Sequence, residues 1–215
     1  MNRRMSDLMA GVGSFSVATL YEAAGRRGAM DSCVKPIARG MRVCGLAVTV
    51  QTVPGDNLTV HAALSLLAEG DVLVVGCGGS IGAGIWGEIM TVAAMSRQAA
   101  GLVTDGAVRD TMEISSKGFP VFAKGVTVRS STKQHVGLVN HPVLCGHVWV
   151  RPGDIVVGDD DGVVVLPGDE AEAIIESARQ RQKREETITQ MLEEGKTTLE
   201  LYGFDKILEQ KGVRP

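Results

Sequence analysis

The stretch GLVTDGAVRD, residues 101–110, joins an apolar strand-like run to a pair of opposite charges. The run from Gly101 to Thr104 has the composition of a buried strand, and Asp105-Gly106 is a strong turn signal. Arg109 and Asp110 then stand side by side just beyond the predicted strand. The pair is either a surface ion pair, with Asp110 as a simple helix cap, or part of a binding site, and the neighbouring sequence favours the second hypothesis.

The sequence before this stretch alternates strands with helices. Strands are predicted at 42–53 and 71–76, and helices at 14–24, about 57–68 and about 86–100. This alternation is typical of parallel strands joined by helical crossovers. If strands 71–76 and 101–104 are adjacent, their carboxyl ends meet at the edge where α/β sheets bind ligands. Glu88 and Asp110 are therefore expected to converge.

The sequence after Phe119 is dominated by short strands between Gly, Pro and Asp residues. These strands predict an antiparallel or barrel-like layer, and GDDDG (158–162) predicts a hairpin turn rather than a calcium loop, because it lacks the calcium-loop spacing. Residues 168–194 predict one long, charged helix. The fold expected is a single α/β domain over residues 1–215, with a barrel-like central layer, flanking helices and a C-terminal helical arm.

Composition limits the possible functions of the chain. A length of 215 residues with 44% hydrophobic residues suits one globular domain, and a net charge of −3 gives no electrostatic case for nucleic acid. The four cysteines form no CxxC pair, which favours free buried thiols over zinc or disulfides. No segment resembles a signal peptide or a membrane span, so a cytoplasmic protein is expected.

The residues around Glu88 and Asp110 predict a site for an anion and a hard metal ion. The backbone amides of Gly87, Glu88, Ile89 and Met90 form the first turn of a predicted helix, where an anion is stabilised. Arg109 offers a rigid fork of donors to the same ligand. With no His/Cys cluster nearby, the carboxylates of Asp110 and Glu88 offer hard oxygen ligands that favour Mg²⁺ or Mn²⁺ over zinc. A carboxylate or phosphate ligand is therefore expected.

The charged C-terminal helix allows two interpretations of Glu185. Glu185 interrupts a partly apolar helical face that also carries Arg181. An Arg181–Glu185 pair on a solvated face is the simpler interpretation. In the functional alternative, the arm packs on a neighbouring subunit and delivers Glu185 to that subunit's site.

A dinucleotide-binding fingerprint is the competing motif. GAGIWG, residues 82–87, matches GxGxxG before a predicted helix, and Asp105 follows at about the spacing of the ribose-binding acid. The fingerprint requires its first glycine directly at the strand end, whereas CGGSI (77–81) intervenes here. Dinucleotide binding is therefore a minor alternative.

Several motifs together resemble one known family, that of the 4-hydroxy-4-methyl-2-oxoglutarate aldolases, which also includes the regulators of ribonuclease activity A. The motifs are TVPGDNLTVHAAL (52–64), GDVLVVG (70–76), WGEIM (86–90), GLVTDGAVRD (101–110), VRPGDIVVGDDDGVVVLP (150–167) and KREETITQMLEEG (183–195). The resemblance implies a compact fold with a barrel-like centre, assembled as a trimer or hexamer with active sites between subunits. It assigns substrate binding to Arg109 and residues 87–90, Mg²⁺ or Mn²⁺ binding to Asp110, and a neighbour's acidic residue to Glu185, with Glu186 as the nearby alternative.

The activity that this resemblance implies is metal-dependent cleavage of a 4-hydroxy-2-oxo acid to pyruvate, accompanied by oxaloacetate decarboxylation. The metal acts as a Lewis acid on the 2-oxo acid, and a metal-linked water assisted by Arg109, Glu88 and Glu185 is the implied base. Some aldolases have Asp where this chain has Glu88, and the extra methylene can shift the metal's water shell. The regulatory branch of the family implies the alternative, a non-catalytic protein that binds an RNA-degrading enzyme.

Overall fold

The computed structural model describes residues 3–213, with side chains from Leu8 onward. The strands within these residues are β1 (Lys35–Pro36), β2 (Val43–Gln51), β3 (Asp71–Gly76), β4 (Gly84–Trp86), β5 (Gly101–Val108), β6 (Val121–Val126), β7 (Leu138–Val139), β8 (Val143–Cys145), β9 (Val148–Val150), β10 (Ile155–Asp159) and β11 (Gly162–Leu166). The helices are α1 (Arg3–Gly13), α2 (Val17–Ala23), α3 (Leu58–Leu64), α4 (Glu88–Ser96), α5 (Thr111–Ser116), α6 (Ala171–Glu193), α7 (Thr198–Tyr202) and α8 (Phe204–Gln210).

One mixed sheet forms a nearly closed barrel. Its strand order is β1-β6-β5-β3-β2-β10-β11, with β2, β3, β5 and β6 parallel and the outer strands antiparallel. The segment before β1 closes most of the remaining gap, because the Met30 amide donates to the Val163 carbonyl over 2.9 Å and the Val165 amide donates to the Gly28 carbonyl over 2.8 Å. The predicted α/β domain with a barrel-like centre is therefore confirmed.

The period-two alternation of the strands separates the apolar core into layers. On β3, Val72 and Val74 face the barrel interior with Phe122, whereas Leu73 and Val75 pack outward under α3, α4 and α5. A third cluster lies under α1, α2 and the first half of α6. The helices thus cover the outer face of the barrel, and α4 and α5 are anchored directly beside the ends of β4 and β5.

Strand β5 continues through Asp105-Gly106, so the turn predicted at that dipeptide is wrong. The pairing of β5 with β6 shifts register between Thr104 and Ala107, which accommodates the dipeptide as an irregularity within the strand. The side chain of Asp105 is nearly buried and accepts hydrogen bonds from the amides of Cys77 (2.8 Å) and Gly79 (2.9 Å). Burial and these local partners outweigh the turn propensity, and they place Arg109 directly at the strand end.

Other boundaries differ from the predictions in ways that matter for the site. The helix expected at 86–100 begins at Glu88, because residues 84–86 form strand β4. The helix expected at 57–68 ends at Leu64, well before Gly70. Of the strands after Phe119, β6, β7, β10 and β11 join the barrel sheet, β6 parallel to β5 and the others antiparallel to their partners, whereas β8 and β9 pair with each other. The helices α1, α7 and α8 were not predicted.

The C-terminal arm leaves the barrel about a third of the way along α6. Ala171, Ile174, Ile175 and Ala178 are buried, and from residue 179 to 213 no described residue is buried. The remaining part of α6 is about 22 Å long at the usual rise per residue. Helices α7 and α8 follow it as a hairpin, whose side chains Tyr202 and Phe204 stack with ring centroids 5.2 Å apart.

The four cysteines are free thiols, as predicted, and two of them are buried. Burial raises the pKa of Cys77 to about 12 and that of Cys145 well above its usual range, which keeps both thiols protonated. Within residues 3–213 no helix combines the length and the apolar character needed to cross a membrane.

Candidate active site

A cleft of about 170 Å³ lies where β4 and β5 end and α4 begins. Parallel pairing brings these ends together, and the loop after β6 forms the opposite wall. Residues that line this cleft include Asn57, His61, Trp86, Gly87, Met90, Arg109, Asp110, Ser130 and Lys133.

Arg109 and Asp110 form the centre of the cleft. Asp110 has left-handed backbone angles (φ 56°, ψ 41°), an uncommon conformation for a non-glycine residue. Its Oδ2 accepts from the Glu88 amide over 3.0 Å and lies 3.5 Å from Arg109 Nε. Arg109 Nη1 is in turn 3.1 Å from the hydroxyl of Ser130. Arg109 and Asp110 are therefore held by contacts to Glu88 and Ser130, and they do not form an isolated surface ion pair.

Gly87 is required here because no space exists for a side chain. Its backbone is extended, which any residue can adopt, but a Cβ would lie 2.5 Å from Asp110 Oδ2 and 3.2 Å from Arg109 Nε. The bare backbone of Gly87 lets the charged pair pack against the start of α4. The packing of Arg109 and Asp110 against the start of α4 therefore depends on the absence of a side chain at Gly87.

The first turn of α4 supplies the backbone amides that were predicted to bind an anion, but one of them is already occupied. The Glu88 amide is already occupied by Asp110, so the amides of Ile89 and Met90 are the ones that remain open to a ligand. They lie at the positive end of a nine-residue helix. A carboxylate bound there would lie next to the Arg109 guanidinium.

The Glu88 carboxylate does not point into the cleft in this chain. Its Oε1 forms an ion pair with Lys117 Nζ over 3.2 Å, and only its backbone amide contacts Asp110. The expected convergence of Glu88 with Asp110 is therefore correct for the backbone and not for the two carboxylates. A catalytic role for the Glu88 side chain stays a prediction.

Asp56 fixes the loop that forms the far wall of the cleft. The carboxylate is 1% exposed, and its Oδ2 accepts from Thr132 Oγ1 (2.7 Å) and from the amides of Gln134 (2.6 Å) and His135 (3.2 Å). Burial opposes ionisation, but these bonds and one from the Leu58 amide outweigh it and hold the pKa of Asp56 well below its usual range. A charged, buried Asp56 thus connects the N-terminus of α3 to the loop.

Asn57 and His61 line the cleft, and the sequence did not identify either as a site residue. The Asn57 amide nitrogen donates to the Ile85 carbonyl over 3.1 Å, which fixes its orientation, and Oδ1 is a buried acceptor with no hydrogen-bond partner among the described residues. Burial, followed by the charge of Lys133, lowers the pKa of His61, so a neutral imidazole is expected at neutral pH. The PGDN segment was visible in the sequence, but nothing there indicated that it faces the cleft.

A metal ion in the cleft would have a single carboxylate ligand from this protomer. No group of three or more His, Cys, Asp or Glu residues suited to metal binding occurs in the described part of the chain. Asp110 keeps Oδ1 free of hydrogen bonds to described residues, whereas the unpaired Asn57 Oδ1 is buried. This donor set fits Mg²⁺ or Mn²⁺, which take most of their shell from water and substrate, and does not fit zinc.

Glu185 does not line the cleft of its own protomer. Its Oε1 is 2.9 Å from Arg181 Nε, and Arg181 also approaches Glu22 at 3.7 Å. The helix-surface pair considered for Glu185 is therefore present, whereas its role in a neighbour's site stays a prediction. Glu186 accepts only from Gln182 over 3.3 Å, on the exposed helix surface.

The dinucleotide fingerprint lacks its structural context. Residues 84–86 of GAGIWG form strand β4, whereas the fingerprint glycines belong in a strand-to-helix turn. Asp105, the candidate ribose ligand, is bound to the amides of Cys77 and Gly79. The structure gives no support to this alternative.

The barrel and the cleft together define a small α/β protein with a cleft at the strand ends that carries Arg109 and Asp110. The profile described as RraA-like (Aldolase/RraA) matches residues 17–165, and the chain belongs to this family. A Halalkalibacterium halodurans protein with the provisional name 4-hydroxy-4-methyl-2-oxoglutarate aldolase is 38% identical over 157 residues, which cover 73% of this chain and 75% of that protein.

Two solved structures extend the comparison to the fold. An uncharacterized protein from Pseudomonas syringae pv. tomato str. DC3000 is 26% identical with a TM-score of 0.81, and the match covers 89% of this chain and 91% of that one. Streptomyces coelicolor RraAS2, described as an unusual member of the RNase ES inhibitor RraA protein family, is 31% identical with a TM-score of 0.78, over 86% of this chain and 98% of that one. The predicted family is therefore confirmed, and its members include proteins named as aldolases and proteins named as RraA.

Proposed function

We propose that this protein is a divalent-metal-dependent aldolase that cleaves 4-hydroxy-4-methyl-2-oxoglutarate, or a related 4-hydroxy-2-oxo acid, to pyruvate. Decarboxylation of oxaloacetate would accompany this activity, because both reactions leave the enolate of pyruvate. The observation that carries the proposal is the placement of Arg109 and Asp110 against the open amides of α4, in one cleft. The name of the H. halodurans relative supports the same reaction class.

Arg109 and the α4 amides bind and orient the 2-oxo acid in this proposal. The amides of Ile89 and Met90 hold the carboxylate at the positive end of the helix. The Arg109 guanidinium, fixed by Asp110 and Ser130, lies beside the keto oxygen and stabilises the negative charge that develops there during cleavage. Because Arg109 is held before substrate binds, little reorganisation is needed during the reaction.

Asp110 would hold the metal through its free carboxylate oxygen. When bound, the metal supplies Lewis-acid polarisation of the substrate's oxygens. The Glu88 amide donates to Oδ2 of Asp110, which holds the carboxylate in place and leaves Oδ1 free. Glu88 and Glu185 are the carboxylates proposed to assist proton transfer.

A homo-oligomer, a trimer or a hexamer, is part of the proposal. Glu185 does not line its own cleft, and no residue described beyond Ala178 is buried. A neighbouring subunit's arm can therefore complete each site without any change within the barrel.

The test is pyruvate release from oxaloacetate and from 4-hydroxy-4-methyl-2-oxoglutarate, with Mg²⁺ and then with excess chelator. We expect metal-dependent release from both substrates. Asp110→Asn should lower kcat/KM by at least about 100-fold while preserving the thermal unfolding temperature, because Asn keeps the side-chain shape and tolerates the left-handed backbone. Asp161→Asn, in the exposed hairpin turn, is the matched control. Full activity in Asp110→Asn would refute the metal assignment.

A non-catalytic regulator of an RNA-degrading enzyme is the second candidate function. The name of the S. coelicolor relative favours it. A folded oligomer that releases no pyruvate from either substrate, with or without metal, would support this candidate over the aldolase.

A further inference from the structure

Lys133 is a cation of the cleft with no partner in the described chain. It makes no hydrogen bond and no ion pair with any residue whose side chain the structure describes, although it lines the same cleft as Arg109. Arg109, by contrast, is already engaged with Asp110 and Ser130. The two cations therefore have different tasks, because only Lys133 keeps all its donors available.

The backbone on both sides of Lys133 is held in place. Thr132 and Gln134 donate to the buried Asp56 carboxylate over 2.7 and 2.6 Å, and the Thr132 amide also donates to the Gly55 carbonyl over 2.8 Å. The loop thus presents Lys133 from a fixed position, while its side chain stays free. A free lysine on an ordered loop is well suited to bind a ligand's charge, since little backbone entropy is lost on binding.

The charges of the cleft favour a ligand with two separated anionic groups. Arg109 and Lys133 are positive, Asp110 is the carboxylate that lines the cleft, and Glu88 is directed to Lys117. The α4 amides and Arg109 account for one anionic group of a 2-oxo acid. Lys133 then remains for a second one at the far end of the molecule.

We infer, on the basis of the proposed function, that Lys133 binds the second carboxylate of the substrate. The site would therefore select dicarboxylic 4-hydroxy-2-oxo acids over analogues whose far end is uncharged. Lys133 would act as a specificity residue that anchors the carboxylate carried by C4, on the fragment that leaves when the bond between C3 and C4 breaks.

The first test measures binding, so that it does not depend on catalysis. By calorimetry with Mg²⁺ present, wild-type protein should bind 2-oxoglutarate about 10- to 100-fold more tightly than 2-oxopentanoate, its match without the second carboxylate. Lys133→Met should abolish this preference, and Lys133→Arg should retain part of it. Equal binding of the two acids by wild-type protein would overturn the inference.

The second test measures turnover of 4-hydroxy-4-methyl-2-oxoglutarate and of 4-hydroxy-2-oxopentanoate. Lys133→Met should lower kcat/KM for the diacid by about 10- to 100-fold, mainly through KM, and should change that for the monoacid by less than about threefold. Lys124→Met is the control, because Lys124 lines a separate cavity of about 360 Å³ and likewise makes no hydrogen bond or ion pair within the described chain.

The two tests separate failure of the inference from failure of the proposed function. Equal loss for both substrates, or no loss for either, would show that Lys133 does not select the second carboxylate. Absence of turnover with any substrate, together with a 2-oxoglutarate preference that depends on Lys133, would refute the aldolase and retain the binding role.

Discussion

The barrel and the helices packed on it contain buried apolar clusters, whereas the arm beyond Ala178 contains no buried residue among those that the structure describes. These clusters include the fully buried Trp86, Phe122 and Ile114, and Trp86 also lines the cleft. In the arm, Tyr202, Phe204 and Ile207 are each more than two-fifths exposed. The family match ends at residue 165, before α6 begins. The difference indicates that the barrel can position Arg109 and Asp110 by itself, while the arm lacks an apolar partner within its own protomer.

Gly87→Ala should have the largest effect, because it disturbs the packing of Arg109 and Asp110 at the barrel. The new Cβ would lie 2.5 Å from Asp110 Oδ2, so the charged pair must move. We expect kcat/KM to fall by more than about 100-fold and the free energy of unfolding to fall by about 1–3 kcal/mol.

Steady-state kinetics and thermal unfolding measure both effects of Gly87→Ala. Gly82→Ala is the control, because its Cβ would approach only the Ser80 hydroxyl, at 3.9 Å. Wild-type kinetics in Gly87→Ala would mean that the close packing of Gly87 with the pair has no part in the activity.

Glu185→Ala tests the arm side, with a smaller expected effect. If a neighbour's arm completes the site, turnover should fall about tenfold while the barrel's stability is unchanged, since Glu185 is exposed. Dissociating and mixing Glu185→Ala with Asp110→Asn should then restore activity at about a quarter of the sites, because each such site receives intact residues from two different chains.

Glu193→Ala is the matched control for Glu185→Ala, eight residues further along the same helix and likewise exposed. Glu186→Ala tests the nearby alternative. No recovery on mixing, with hybrid oligomers demonstrated, would place Glu185 back on a solvated helix surface.

Asp56→Asn should have the smallest effect on activity near neutral pH and a clear effect on stability. Because the folded state lowers the pKa of Asp56, ionised Asp56 stabilises the fold above the unfolded pKa of about 4, and this contribution is lost as pH falls below that value. The variant should unfold at a lower temperature at pH 7 and show a flatter dependence on pH between about 5 and 2.

Thermal unfolding across this pH range, with Asp161→Asn as control, checks the Asp56 prediction. An unchanged pH dependence in Asp56→Asn would show that other carboxylates account for the acid sensitivity of the fold.

The sequence predicted the centre of the site better than its walls. Arg109 and Asp110 could be placed because parallel strand ends necessarily meet at one edge, even though the turn at Asp105-Gly106 was wrong. Lys133 and Asn57 could not be placed, because they reach the cleft only through the hydrogen bonds of Asp56 to a loop 76 residues or more away in sequence. The direction of the Glu88 side chain was predicted wrongly, because its partner, Lys117, lies beyond α5 and belongs to no motif.

The left-handed backbone of Asp110 restricts which mutations this position can accept. Single-base changes in an aspartate codon give Asn, Gly, Ala, Val, His, Tyr or Glu. Asn and Gly fit the left-handed conformation well, but neither retains a carboxylate. Glu retains the carboxylate and is disfavoured in that conformation. No single nucleotide substitution preserves both the shape and the charge of Asp110, so the codon has no neutral neighbour except the synonymous one.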